Sequence, residues 1–396
     1  MIVRQFLQWV RTAPASDRAD ATSALARAYL YSDLSPDDRA AAEGAMIMLL
    51  DDASPLVRCA LAEALAGSDK APPAIIQSLA WDQPEVAAIV LARSPLLLDA
   101  DLVEATARGV PSLQVAIARR PFVPCAVSAA IAEVGCAEAC LVLLENHNAE
   151  MVQFSMDRIV VRFGHLAAIR NAMLDRPDLP LPTRQALVAK LATTLADFVA
   201  ARVWLSEERA RSIAKEACEK ATVSIAATSA QSELRSLVRH LRDSGQLTAG
   251  LLLRALLCGN IALFEEALVE LSDLSPARVA AILHDKYGSG FRALYDRAGL
   301  PAAIYPAFRE AVEAMREDGF LMEQKQATRL KRRIVERVLT RCEGGVLGEI
   351  EPLFTLLRRF AAEAMREEAR AFCQELLAEC ERSVANERLA GIRFAA

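Results

Sequence analysis

Glycine and proline are scarce, at 16 and 17 in 396 residues, about 8% together against a usual ~12%. That scarcity excludes collagen-like and low-complexity chains. Aromatic residues are few as well, 5% of the chain, while the hydrophobic share reaches 53% and is carried by Ala, Leu, Val and Ile. Such a balance favours helices packed closely through small side chains over a β-sandwich. The nine cysteines are too sparse for a disulfide scaffold. They lie inside apolar patterns such as Val57-Arg58-Cys59-Ala60-Leu61 and read as small buried hydrophobes in a reducing compartment. Long apolar runs are missing: windows 45–50, 86–98 and 251–263 are short or carry Arg93 or Arg254, well below the ~18 residues of a membrane span. At the N-terminus Arg4, Gln5, Gln8 and Arg11 interrupt what a signal peptide would keep apolar. A cytoplasmic protein with no membrane contact is therefore expected. Positive charge is not in excess either, since the net charge is −5. No global field draws the chain to nucleic acid, and any basic site must be local. Arginine outnumbers lysine 39 to 7, which reads as the composition of a GC-rich genome.

Chemical signatures are missing too. Neither G-x-x-x-x-G-K-[ST] nor a strand-linked G-x-G-x-x-G occurs, and the four histidines, His147, His165, His240 and His284, have no H-E-x-x-H spacing. Gly288-Ser289-Gly290 lacks the spacing of a nucleophile elbow and reads as a turn. Cys136, Cys140 and His147 have a spacing that would put two thiolates and an imidazole near one helix face, as zinc requires. Their apolar neighbours Ala137, Ala139, Leu141 and Val142 describe instead a packed hairpin helix, and Cys373 with Cys380 reads the same way. A protein without catalytic residues, metal or cofactor is expected.

What the chain does contain is a repeat. Ser54-Pro55-Leu56-Val57-Arg58, Gln83-Pro84-Glu85-Val86-Ala87, Val110-Pro111-Ser112-Leu113-Gln114 and Asn148-Ala149-Glu150-Met151-Val152 recur at steps of 29, 27 and 38 residues. Each suits a helix opening with proline or alanine at its first position. The step fits two short helices and two turns, so the spacing predicts stacked α-hairpins whose inner faces only their neighbours can cover. Capping helices are expected at 16–31 and 35–50, the second opened by Ser35-Pro36-Asp37-Asp38. The Pro-rich stretch Pro177-Asp178-Leu179-Pro180-Leu181-Pro182 ends the pattern. The expected fold is thus all-α: a HEAT-like α-α superhelix over residues 1–176, a second helical region over 183–342, and a long amphipathic C-terminal helix within 350–396.

These stretches also carry a resemblance. Residues 53–102, Ala116-Ile117-Ala118-Arg119-Arg120-Pro121, Leu144-Glu145-Asn146, Arg176-Pro177-Asp178-Leu179-Pro180 and residues 252–301, ending in Ala298-Gly299-Leu300-Pro301, resemble the bacterial family called domain of unknown function 2336, over about residues 15 to 320. The resemblance implies HEAT-like helical repeats and an alphaproteobacterial origin. It implies no activity and no site residues.

Two basic features are candidate binding surfaces. Arg93, Arg120 and Arg158 fall nine residues after Pro84, Pro111 and Ala149, with Arg119 beside Arg120. Equivalent repeat positions stack, so these residues are expected to form a concave ladder for acidic groups or phosphates. The competing reading has each arginine capping its own helix C-terminus. Residues 51–150 hold 6 Lys and Arg against 13 Asp and Glu, which opposes nonspecific nucleic-acid binding. The second feature is Arg329, Arg333, Arg337 and Arg341, spaced by four on one helix. Carboxylates of the last helix, among them Glu363, Glu367, Glu368 and Glu375, are its expected counter-charges, with an acidic protein or RNA partner as the alternative. In that last helix Met365, Ala369, Phe372, Leu376, Cys380 and Val384 form an apolar seam that either docks on its own chain or pairs two copies as a homodimer. The function expected from this pattern is a scaffold or adaptor that binds a protein or peptide on its concave face. A nucleic-acid-binding helical repeat of DNA glycosylase type is the rival, although Trp81, Phe122, Phe154 and Phe163 are not spaced as a repeating surface row.

Overall fold

The computed structural model of the chain describes residues 9–10, 12–285, 288, 290–317, 336–337, 340, 357–366, 368–370, 372–374 and 376–377. Proline starts many of its helices, because the ring pre-sets φ and its missing N–H falls where a helix leaves that group unpaired anyway. Helices α1 (Ala15–Tyr31), α2 (Pro36–Leu49), α3 (Pro55–Leu65), α4 (Pro73–Ala80), α5 (Pro84–Arg93), α6 (Asp99–Ala107) and α7 (Pro111–Ala118) come first. They are followed by α8 (Cys125–Val134), α9 (Ala137–Glu145), α10 (Gln153–Phe163), α11 (Ala167–Leu174) and α12 (Leu181–Ala201). Further on are α13 (Glu207–Ala227), α14 (Gln231–Asp243), α15 (Ala249–Leu257), α16 (Ile261–Ser272), α17 (Pro276–Leu283), α18 (Phe291–Arg297) and α19 (Tyr305–Glu317). Residues 357–366 are helical as well. Side-chain oxygens of Ser35, Thr248 and Asn260 accept the N–H of Asp38, Leu251 and Leu263 at 3.2, 3.2 and 3.1 Å, closing the N-termini of α2, α15 and α16. Gly109 leaves α6 at φ +73°, a left-handed exit that costs glycine no Cβ clash. The chain is all-α: among the described residues no strand occurs, only one parallel bridge between Val123 and Ala149.

Contacts divide the chain into two compact units, Met1–Thr194 and Leu195–Ala396. In the first unit the odd-numbered helices α1, α3, α5, α7, α9 and α11 pack each on the next, and α6, α8 and α10 pack successively beside them. The pairs α4 with α5, α6 with α7 and α8 with α9 join the rows as hairpins. One continuous core runs through this array, built from residues such as Leu61, Ile75, Val90, Ile117, Ile131 and Leu143. On α5, Val86 and Val90 are buried and Ile89 half-buried, the i, i+3, i+4 stripe of a helix with one inner face.

Polar side chains tie successive hairpins together at their ends. Near the N-terminal ends of the odd row, Arg18 of α1 grips Asp52 through Nε and Nη2 at 2.9 and 2.8 Å, and Arg58 of α3 grips Asp82 at 2.6 and 3.1 Å. At the C-terminal ends the acceptors are carbonyls. Arg120, after α7, donates to Leu91 O and Ser94 O of α5 at 2.6 and 2.8 Å. Asn146, at the end of α9, donates to Ala118 O and Arg120 O of α7 at 3.1 and 2.8 Å. Arg176, after α11, donates to Leu144 O and Asn146 O of α9 at 3.3 and 3.2 Å. In the other row Arg162 of α10 donates to Ala132 O and Gly135 O at the end of α8, both at 2.7 Å. Buried Gln114 spans both rows, donating to Thr106 O at 3.0 Å and accepting from Cys136 N at 2.8 Å.

The second unit repeats the device. Arg297, closing α18, donates to Ser272 O of α16 at 2.7 Å, and Arg316 of α19 donates to Leu283 O of α17 at 2.8 Å. Its core holds α15, buried from Leu251 to Leu257, and an aromatic cluster of Phe264, Phe291, Tyr295 and Phe308.

Replacing Arg120 by methionine should cost ~1–3 kcal/mol, because two carbonyls at the end of α5 lose their donor. Arg93→Met, at an exposed position, should stay within ~0.5 kcal/mol; urea denaturation separates the two, and equal effects contradict the cap. At Asp52, burial alone would raise the pKa, but the Arg18 guanidinium and the Ser54 N–H outweigh it and hold the carboxyl below its ordinary range. Its stabilisation is present at neutral pH and is lost as pH falls below about 4. Thermal melts should therefore show a steeper acid decline for the wild type than for Asp52→Asn, and parallel curves would contradict this.

Candidate partner-binding edge

The four arginines expected to share a row have three different fates. Arg93 ends α5 and Arg119 follows α7, and both side chains are exposed. Arg120 turns inward. Burial pushes its pKa down, with Asp99 opposing the shift, so its charge is spent on the carbonyls of α5 rather than offered to solvent. This also corrects the competing reading, since Arg120 caps the preceding hairpin's helix and not its own. Arg158 sits on α10, in the other row, and pairs with Glu133 at 2.7 Å.

The displacement of Arg158 has a local cause. Ala149 does not open a helix: it bridges Val123, and the Glu150 N–H donates to Val123 O at 2.9 Å. The helix starts four residues later, at Gln153, so the residue nine positions on is Arg162. Arg162 meets the last turn and C-cap of α8 as Arg120 meets those of α5.

The caps and the bridge bring the loops that follow α5, α7 and α9 side by side along one edge. That edge carries Arg93 and Arg119 together with exposed Leu98, Phe122, Val152 and Phe154; Phe122 is 52% and Phe154 71% exposed. Single exposed apolar side chains are ordinary, but here one stands in each of three adjoining loops. Leu98 and Val152 have a signal in the sequence, since Ser94-Pro95-Leu96-Leu97-Leu98 and Met151-Val152-Gln153-Phe154 put apolar residues where linkers are normally polar. Trp81 belongs elsewhere: it closes α4 at the turn inside its hairpin, with Arg108 over its ring at 5.3 Å.

The thiols serve the fold. Cys136 Sγ accepts the Ala139 N–H at 3.4 Å as the N-cap of α9, and burial pushes the Cys140 thiol up to about 12. Among the described residues no three His, Cys, Asp or Glu side chains converge as metal ligands. Arg329, Arg333 and Arg341 lie outside the described residues, as do Ser289, Glu367, Glu375, Cys380 and Val384; Arg337 is helical and half-buried. Glu363, one of the expected counter-charges, pairs with Lys220 and Arg254 at 2.6 and 2.8 Å. Of the apolar seam, Met365, Phe372 and Leu376 are exposed, and so is Cys373. No helix among the described residues is long and apolar enough to cross a membrane.

A thiol reagent at about pH 8 should label Cys373 well before Cys140, because only a thiolate reacts and Cys140 is buried as the thiol. Mass mapping of the labelled peptides reads the order, and equally fast labelling of Cys140 would contradict its environment.

The family model described as "Uncharacterised protein conserved in bacteria (DUF2336)" matches residues 86–348. Neither a curated protein nor a solved structure matches the chain. The matched span begins at α5 rather than near residue 15 and runs past residue 320, so α1–α4 lie outside it. It takes in the capped ends of α5, α7, α8 and α9 and about two-thirds of the sequence, and the chain belongs to this bacterial family.

Proposed function

We propose that this protein is a non-enzymatic scaffold: a HEAT-like α-solenoid whose inter-hairpin edge binds a protein or peptide partner in the cytosol. The observation that carries the reading is the edge itself, where Arg93 and Arg119 stand among Leu98, Phe122, Val152 and Phe154. Aromatic residues and arginine dominate protein contact sites because they join a large apolar area to directional donors. Stacked hairpins suit the task, since a row of short loops held at fixed spacing presents an extended surface without a deep pocket. The commitments of Arg120 and Arg158 favour a protein over nucleic acid, because a phosphate-binding wall would need those charges free. They also move the surface from the concave face to the edge. The free cysteines fit a reducing cytosol.

Changing Arg93 and Arg119 to Glu and Phe122 and Phe154 to Ser in the full chain should abolish capture of the partner from nuclease-treated lysate. The helical circular dichroism and melting temperature should stay within a few degrees of wild type, as exposed substitutions normally do. An unchanged set of captured proteins, or recovery of nucleic acid that nuclease removes, would overturn the proposal.

A further inference from the structure

Helix α15 reads Ala-Gly-Leu-Leu-Leu-Arg-Ala-Leu-Leu, and Arg254 is its one charged residue. The side chain is 5% exposed, and a buried guanidinium is strongly unfavourable unless a carboxylate meets it. The carboxylate arrives from 109 residues away: Arg254 Nη1 donates to Glu363 Oε2 at 2.8 Å. Lys220 of α13 reaches the other oxygen at 2.6 Å, and the guanidinium lies 4.3 Å from the Phe360 ring centroid. Leu357, Phe360 and Ala364 are buried while Arg358, Arg359, Ala362, Met365 and Arg366 are exposed. Apolar anchors at i, i+3 and i+7 with an acid alongside are the way an amphipathic helix lies on a receptor groove. At the rim Arg359 pairs with Glu216 of α13.

We propose that the face shared by α13 and α15 is a receptor for amphipathic helices that carry one carboxylate beside their apolar face, occupied in cis by residues 357–366, which a partner helix of the same pattern displaces. The chemistry of the occupant follows from the clamp. Glu219 of α13 also acts on Arg254 through its charge, but the guanidinium's hydrogen bond goes to Glu363, so an occupant of the same kind brings a carboxylate three residues after an aromatic ring that stacks on the guanidinium. The segment touches the fold on one side only, and its exposed basic rim, Arg358, Arg359 and Arg366, leaves a single pair to Glu216 as its further hold among the described residues. The site lies in the second unit and does not depend on the edge of the first.

The test uses the full chain and a fluorescein-labelled synthetic peptide with the sequence of residues 351–372, read by fluorescence anisotropy. A Phe360→Ala/Glu363→Gln chain, whose own segment has lost its grip, should bind the peptide at least roughly tenfold more tightly than the wild type, in which the segment competes. The same peptide carrying Glu363→Gln should bind that chain roughly tenfold more weakly, the usual effect of losing a charged hydrogen bond. Should the double variant fail to fold, Arg359→Glu sets two acids against each other at the exposed rim and leaves the buried groups in place; it should bind the peptide more tightly than wild type. A folded variant that binds the peptide no better than wild type would overturn the proposal, and so would equal affinity for the Gln and Glu peptides.

Discussion

A helix ends with carbonyl oxygens that have no donor of their own, and in a row of short helices that deficit recurs every dozen residues. Here the next hairpin supplies the donor. Arg120, Asn146, Arg176 and Arg162 each reach back to the terminal carbonyls of the helix before them in their row, and Arg297 and Arg316 do so in the second unit. A cation at the negative end of the helix dipole is favourable on its own. Two hydrogen bonds to a preceding helix also fix the distance and rotation between neighbours, which apolar contact through Ala, Val and Leu does not specify as sharply.

This device also shapes the surface. By drawing Arg120 and Arg176 inward and binding Asn146 to two carbonyls, it holds the inter-hairpin loops side by side, and the apolar residues of those loops emerge as a group. Structure and, in the proposed reading, binding thus divide one population of arginines. Those with a carbonyl or carboxylate in reach hold the array, and Arg93 and Arg119 are left to the outside.

Much of the architecture is legible in the residues. Pro55, Pro84 and Pro111 each open a helix as their spacing predicts, and the capping helices expected at 16–31 and 35–50 stand within a residue of those bounds. The all-helical class follows from the same composition. Much of what is not legible shares a cause: the partner is a backbone atom. A carbonyl has no side-chain identity, so nothing in the sequence shows that Leu91 and Ser94 accept from Arg120, or that Arg158 and Arg162 exchange roles once the Val123–Ala149 bridge delays α10. The edge was hidden for a related reason. In Phe122-Val123 both residues read as apolar, and only the bridge decides that Val123 is buried and Phe122 exposed. The Arg254–Glu363 clamp joins residues 109 apart, a separation that no local pattern spans.

The central claim is that each hairpin is held by donors from the next. Hydrogen–deuterium exchange on the Arg120→Met/Arg162→Met chain tests it most directly, because the substitutions lie just after α7 and on α10 while the lost caps belong to α5 and α8. The account predicts faster exchange in the last turns of α5 and α8 with unchanged protection in α1–α3 and in α15–α17. Unchanged protection in α5 and α8, or a uniform loss across the first unit, would contradict it.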